Sequence, residues 1–168
     1  MKIKKGIIAG VLTLAMALST GVTTFAASSA SQTVNLGFTV DPTTTLAVST
    51  NSISFGNVNP LTSTYTQSLT ATVQSNATYK LTAVAGSDFK TADTTPKIIA
   101  IDHLGVKLHS DSTYKTMSKD SANPVVLASS QPATASSAYP IDLQLNTDWN
   151  SAVPGSYTTT VQFAVTQS

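Results

Sequence analysis

The sequence contains no cysteine, no arginine and no glutamate. Without cysteine the chain cannot be stapled by disulfides, so its stability must come from a packed core and backbone hydrogen bonds. Arginine and glutamate are good helix formers, whereas the threonine and valine that are plentiful here favour strands. These absences favour an all-β domain held together by its core.

Positive charge is also scarce outside the first few residues. Three of the nine lysines stand at positions 2, 4 and 5, and the remaining six lysines are outnumbered by the eight aspartates. If the first segment is removed, the net charge is about −2. No basic patch is left to bind phosphates, so nucleic acid is not expected as a partner.

Long hydrophobic runs are missing except for one near the start. Residues 1–5 are basic, residues 6–18 are apolar, and small residues follow up to Ala26. This order predicts a signal peptide over residues 1–26, cleaved after Ala26, with Ala30 as the alternative. The apolar run of about a dozen residues is shorter than the roughly 20 that a spanning helix needs. We therefore expect a secreted, extracellular protein with no membrane span after cleavage.

The rest of the chain is predicted to be a flexible leader over residues 27–31 and a single β-sandwich domain over residues 32–168. The clearest pattern lies at the end, where residues 139–146 and 157–165 alternate between apolar and polar side chains. Alternation places the apolar set on one face of a strand. With Pro154-Gly155 as a break between them, the two runs predict neighbouring antiparallel strands.

Further apolar or alternating runs occur between turn-forming residues. They predict strands at 32–40, 45–50, 53–55, 65–74 and 78–85, and either one strand or a pair over 97–101 and 104–108 with a bulge or kink at Asp102-His103. Residues 65–74 and 78–85 are predicted to form a hairpin, 125–127 is a short apolar run, and 129–137 is predicted to be a loop. No helix-spaced apolar stripe is present after the signal peptide. The prediction is an all-β, antiparallel sandwich of eight or nine strands preceded by a signal-peptide helix.

The first of these runs has a second interpretation. Val34, Leu36, Phe38 and Val40 share one face directly after the leader. They could pair within their own sheet, or add a strand to the open edge of a neighbouring subunit. The in-domain strand is the simpler interpretation, and strand exchange stays open as a route to assembly.

Several sequence segments occur together in this chain: Ser54-Phe55-Gly56-Asn57-Val58, the run from Leu69 to Phe89, and the two C-terminal runs. This combination resembles the immunoglobulin-like sandwich modules of exported Gram-positive surface proteins, and is similar to the spore-coat-U and WxL groups. The chain departs from both groups, since Trp149 is followed by Asn150 and Ser151, and cysteine is absent. The resemblance implies a non-catalytic role at the cell surface or in the matrix.

Candidate catalytic and metal-binding residues are few. His103 and His109 flank one apolar run, but six residues along a strand separate them by roughly 20 Å, too far for a shared metal ion unless the chain reverses. Serine, histidine and aspartate are present without a G-x-S-x-G elbow. The aspartates form no D-x-D-x-D calcium loop. We therefore expect no catalytic residues, no bound metal and no cofactor.

Trp149 is the one aromatic side chain expected at a surface between strands, where it could stack on a sugar or simply cap the core. The sequence thus predicts a secreted structural or adhesive protein that is not an enzyme. Its expected partners are copies of itself, other surface proteins, or cell-wall polysaccharide. The alternative is a cell-wall or polysaccharide-binding module, and a secreted hydrolase ranks third.

Overall fold

The computed structural model describes residues 32–62, 64–147 and 153–168. The chain divides into two compact units, Met1–Phe38 and Thr39–Ser168. Every described strand belongs to the second unit. Among the described residues, no helix is both long enough and apolar enough to cross a membrane.

Some predictions fall outside the described residues. They are the signal peptide over 1–26 with its cleavage site at Ala26, the leader over 27–31, and the exposed Trp149.

The described part of the second unit consists of strands and one short 3-10 helix at Ile101–His103. The strands are β1 (Thr44–Val48), β2 (Thr64–Ser75), β3 (Tyr79–Ala85), β4 (Phe89–Lys90), β5 (Ile98–Ile99), β6 (Leu104–Leu108), β7 (Lys115–Thr116), β8 (Val125–Gln131), β9 (Thr134–Asn146) and β10 (Val161–Gln167). All pairings are antiparallel. This confirms the all-β prediction for the residues that the structure describes, with ten strands in place of eight or nine.

The larger sheet has the order β1-β2-β9-β6-β7. Its long central strands, β2 and β9, pair with Leu69 opposite Ile141. Next to them, β6 places Val106 opposite Leu143. All four side chains are buried, and so the alternation predicted for residues 139–146 does mark a core-facing row.

The smaller sheet has the order β10-β3-β8. Tyr79, Leu81 and Ala83 of its central strand β3 are fully buried. Leu81 and Ala83 share one hydrophobic cluster with the inward row of the larger sheet. Tyr79 reaches across to Tyr139 of β9, with the two hydroxyl oxygens 2.7 Å apart. The two sheets therefore pack as a β-sandwich-like fold with a common core.

The predicted hairpin between residues 65–74 and 78–85 is wrong. Both strands form, but β2 lies in the larger sheet and β3 in the smaller one. The linker turns a corner because Asn76 is held by the residues just before β1: its Oδ1 accepts from the Thr43 amide at 2.8 Å, and its Nδ2 donates to the Asp41 carbonyl. Ser75 Oγ also donates to the Ala77 carbonyl. Two strands with inward apolar rows then face each other across the core instead of pairing.

The predicted pairing of residues 139–146 with 157–165 is also wrong. Strand β9 lies between β2 and β6, whereas β10 pairs with β3 in the other sheet. The predicted loop at 129–137 is largely strand as well, since β8 runs to Gln131 and β9 starts at Thr134. The alternating pattern located β9 and β10 but carried no information about which strands lie beside them.

Two predicted strands are absent. Residues 32–43 form no strand, so the in-domain strand predicted for 32–40 is wrong for the single chain. Residues 53–55 also form no strand, although Ile53 and Phe55 are partly buried against the core. In the second case the alternation reflects packing of a loop rather than a hydrogen-bonded ladder.

Candidate functional site

The first candidate site is the exposed apolar segment over residues 34–40. The side chains of Val34, Leu36, Phe38 and Val40 are 75%, 92%, 91% and 66% exposed, respectively. Exposed apolar surface costs about 25 cal/mol per Å² relative to burial. Four such side chains in strict alternation, with no charged residue among them, form an exposed apolar stripe.

The second candidate is the free edge of β10. The Gly86 amide donates to the Thr160 carbonyl, and the Ser168 amide donates to the Thr78 carbonyl. In an antiparallel ladder, alternate residues direct their backbone groups toward the same neighbour. Even-numbered residues of β10 therefore bond to β3, and the backbone groups of Val161, Phe163 and Val165 point away from it. Strand β10 has no second strand partner among the described residues.

The side chains of these three residues turn inward. Val161, Phe163 and Val165 pack against the core but remain only partly buried, whereas Leu81 and Ala83 of the adjacent β3 are fully buried. The core is thus incompletely covered along β10. The same residues combine an open hydrogen-bonding edge with a partly exposed apolar row.

A third candidate is a polar cluster on the outer face of the larger sheet. Asp142 of β9 stands opposite Ser68 of β2 and Lys107 of β6 in the strand register. Its carboxylate accepts from Ser68 Oγ at 2.7 Å and from His109 Nδ1 at 3.0 Å, and Lys107 Nζ lies 3.9 Å away. The Asp142 side chain is only 8% exposed, while that of His109 is 74% exposed.

The surroundings of Asp142 keep its carboxyl ionised. Burial on its own would raise the pKa, but the hydrogen bonds from Ser68 and His109 and the charges of His109 and Lys107 lower it below the ordinary value of 3.8. Both Ser68 and His109 bind the carboxylate rather than each other. The cluster therefore joins three neighbouring strands, β2, β9 and β6, through one carboxylate.

Replacing Asp142 by asparagine should lower the free energy of unfolding by about 2 kcal/mol near pH 7, because hydrogen bonds to a charged group are lost. The folded carboxyl has the lower pKa, so its contribution is complete above the unfolded value of 3.8 and is lost as the pH falls through the folded value. Urea unfolding from pH 7 to pH 2 measures this. The variant should lose less stability on acidification than the wild type; parallel pH profiles would contradict the assignment.

The two histidines lie at opposite ends of β6 and do not meet. His103 Nδ1 is 3.0 Å from the Asn146 carbonyl oxygen, and His109 binds Asp142. Strand β6 runs continuously between them, which gives no chain reversal. Within the described ranges, no three His, Cys, Asp or Glu side chains come together as a metal site would require.

Sequence reasoning identified the segment at 34–40 but missed both the β10 edge and the Asp142 cluster. Val161, Phe163 and Val165 were correctly assigned to the core-facing side, yet their strand was paired with the wrong neighbour. Asp142 was only one polar residue of an alternating run. Its link to Ser68 and Lys107 depends on cross-strand register, for which a single sequence has no signal.

No protein-family model matches this chain, and no curated protein matches it.

Proposed function

We propose that this chain is a secreted, non-catalytic structural or adhesive protein of the bacterial cell surface or extracellular matrix, built on an immunoglobulin-like sandwich, and that it assembles by β-strand addition. The observation that carries the proposal is the exposed apolar stripe of residues 34–40. Strand addition would give its backbone groups a ladder and its four apolar side chains a core to cover.

The arrangement of the exposed apolar residues favours a role in assembly over a chance exposure of single apolar side chains. The stripe has the length of an ordinary strand, and its alternation is strict from Val34 to Val40. Scattered exposed apolar residues are normal on proteins, but a strand-length row is typical of an interaction segment. Strand β10 also offers an edge of similar length that has no second strand partner in the part of the chain that the structure describes.

Immunoglobulin-like topology is part of the proposal and has its own support. Two antiparallel sheets share one core, and the chain passes between them at Asn76 and again between β8 and β9. Such crossings between packed sheets are typical of sandwiches with Greek-key connections.

Deletion of residues 27–40 should abolish assembly of the mature chain, residues 27–168. The shortened chain keeps all ten described strands, so it should remain folded. Light scattering coupled to size exclusion, over a wide range of concentrations, measures the mass of both chains, and electron microscopy shows whether fibres form. If both chains are monomeric and equally stable, the proposal is wrong.

Two matched variants that keep residues 27–40 distinguish loss of the apolar face from loss of the segment itself. One variant changes Val34, Leu36, Phe38 and Val40 to serine, and the other changes Thr33, Asn35 and Thr39, which have the opposite parity. We expect only the first to remain monomeric. Equal effects of the two variants would show that composition, rather than one apolar face, drives association.

A further inference from the structure

We infer that β10 is the edge that accepts residues 34–40 of a second copy, with the apolar face of that segment laid over the core beside Val161, Phe163 and Val165. This inference rests on the proposed function and deepens it by naming the partner and the surface. Every copy carries both a donor segment and an acceptor edge. The contact is therefore head-to-tail. When the same contact is repeated from copy to copy, it builds an open chain of subunits.

The other strand edges of the described fold are protected or short. Strand β7 has two residues and includes Lys115. Strand β8 is followed by Pro132, its register with β3 is irregular, and Ser130 has a positive φ of 51°. Natural edges are blunted by such charges, prolines and irregularities. They make poor templates for an added strand.

Strand β1 is a weaker acceptor than β10. The Thr43 carbonyl accepts from the Asn76 amide, just after β2, and the Ser49 amide donates to the Thr70 carbonyl of β2. This alternation leaves only Thr44, Leu46 and Val48 to direct backbone groups outward. Strand β1 has five residues against seven in β10, and Leu46 is the one apolar side chain of the three that packs against the core. An added strand would gain fewer hydrogen bonds and cover less apolar surface there.

Strand β10 has none of these protective features. It contains no charged residue, no proline and no break in its register with β3. At its far end, Gln167 Nε2 donates to Thr44 Oγ1 at 2.7 Å and to the Thr43 carbonyl at 3.1 Å, so the side chain of Gln167 is tied to the start of β1. The open part of the edge therefore runs along Val161, Phe163 and Val165.

The face of the donor follows from the pleat. Residues directly opposite each other on neighbouring strands point their side chains to the same face of the sheet. An added strand covers the partly exposed core row only if its apolar residues stand opposite odd-numbered residues of β10. The donor has four apolar residues at every second position, enough to span all three acceptor residues. A slip by one residue would turn its apolar row toward water.

The absence of cysteine allows a direct test by disulfide formation. One chain carries a single donor cysteine, Leu36→Cys or Phe38→Cys, and a second chain carries a single acceptor cysteine, Val161→Cys or Val165→Cys. Because the two cysteines are on different chains, only contact between copies yields a mixed dimer. Opposed residues of paired strands lie within the roughly 4–7 Å that a disulfide spans between Cα atoms. Mixed dimers are counted by mass after mild oxidation.

Three controls determine what a positive result means. Ala164→Cys has the opposite parity on β10, and with Leu36→Cys or Phe38→Cys it should form at least tenfold less mixed dimer. Val48→Cys on β1 and Ser129→Cys on β8 report the competing edges. Serine substitution of the four apolar donor residues, in the chain with the donor cysteine, should abolish the cross-link.

A blocking variant gives a second measurement. Val165→Pro removes an amide that points away from β3, so the ladder with β3 keeps its bonds while the open edge loses a donor and gains a bulky ring. We expect the chain to unfold cooperatively still and to assemble about tenfold more weakly, which equals 1.4 kcal/mol.

Each outcome supports or overturns the inference. Cross-links at Val161 or Val165 with the expected parity support it. Assembly with cross-links at Val48 or Ser129 instead overturns the choice of β10 and leaves the proposed function standing. Mature chains that stay monomeric at all concentrations overturn both, as does unchanged assembly after the serine substitutions.

Discussion

Leu81→Ala should lower the free energy of unfolding by about 3 kcal/mol, because it removes a fully buried side chain from the centre of the smaller sheet. Leu81 stands between Val165 of β10 and Ala128 of β8. It belongs to the cluster that both sheets share, and so the cavity would open in the common core. Urea unfolding, followed by circular dichroism at a concentration where the chain is monomeric, measures the loss.

The matched control for this substitution is Leu36→Ala. The chemical change is identical, but Leu36 is 92% exposed and lies in no strand. Its effect on the stability of the monomer should stay within about 0.5 kcal/mol. If both substitutions cost the same, then either Leu81 is not in the core or residue 36 is covered in the folded monomer. Either result would contradict the structure.

The faces of the strands could be predicted from the sequence because alternation is a local property. Leu69, Ile141 and Leu143 occupy apolar positions of the period-two pattern, and all three are buried. The 3-10 helix at Ile101–His103 likewise lies at the junction of the two apolar runs at 97–101 and 104–108. Local steric rules and burial determine such features within a few residues.

The pairing of the strands could not be predicted in this way. Residues 65–74 and 78–85 have the pattern of a hairpin, yet they belong to different sheets. The two strands separate because Asn76 forms hydrogen bonds with Asp41 and Thr43, which lie more than thirty residues earlier in the chain. A contact of that sequence separation leaves no trace in local composition. The same holds for β10, whose partner β3 is about eighty residues away.

The candidate sites also differ in whether they can be predicted from local sequence. The segment at 34–40 was visible in the sequence because its alternation is intrinsic, although its exposure was not. The β10 edge and the Asp142 cluster exist only once strand order and register are known. A core-facing row can bind a partner only if its strand lies at the edge of a sheet. The alternating pattern is the same for edge strands and central strands, so it does not distinguish them.

Loss of a hydroxyl from the Tyr79–Tyr139 pair is the second substitution expected to have a large effect on stability. Of the two tyrosines, the less buried one, Tyr139, should cost more stability when it is replaced by phenylalanine. Tyr79 is fully buried, and within the described residues its hydroxyl bonds only to that of Tyr139. The Tyr139 hydroxyl also donates to Gln131 Oε1 at 3.3 Å. Tyr139→Phe should therefore cost about 2 kcal/mol, since it strands a buried hydroxyl, whereas Tyr79→Phe should cost about 1 kcal/mol. Urea unfolding at pH 8 measures both, and the reverse order would contradict the bonding scheme.

Alkaline pH provides an independent readout of the same pair. Burial, together with the hydrogen bond to Tyr79, raises the pKa of Tyr139 from 10.0 to about 12. The folded chain then keeps a proton that the unfolded chain releases, so this contribution to stability is complete below pH 10 and is lost as the pH rises to about 12. Tyr139→Phe should remove this part of the decline, and its unfolding free energy should converge with that of the wild type as the pH approaches 12. A constant difference between the two proteins from pH 8 to pH 12 would show that Tyr139 titrates as an ordinary surface phenol.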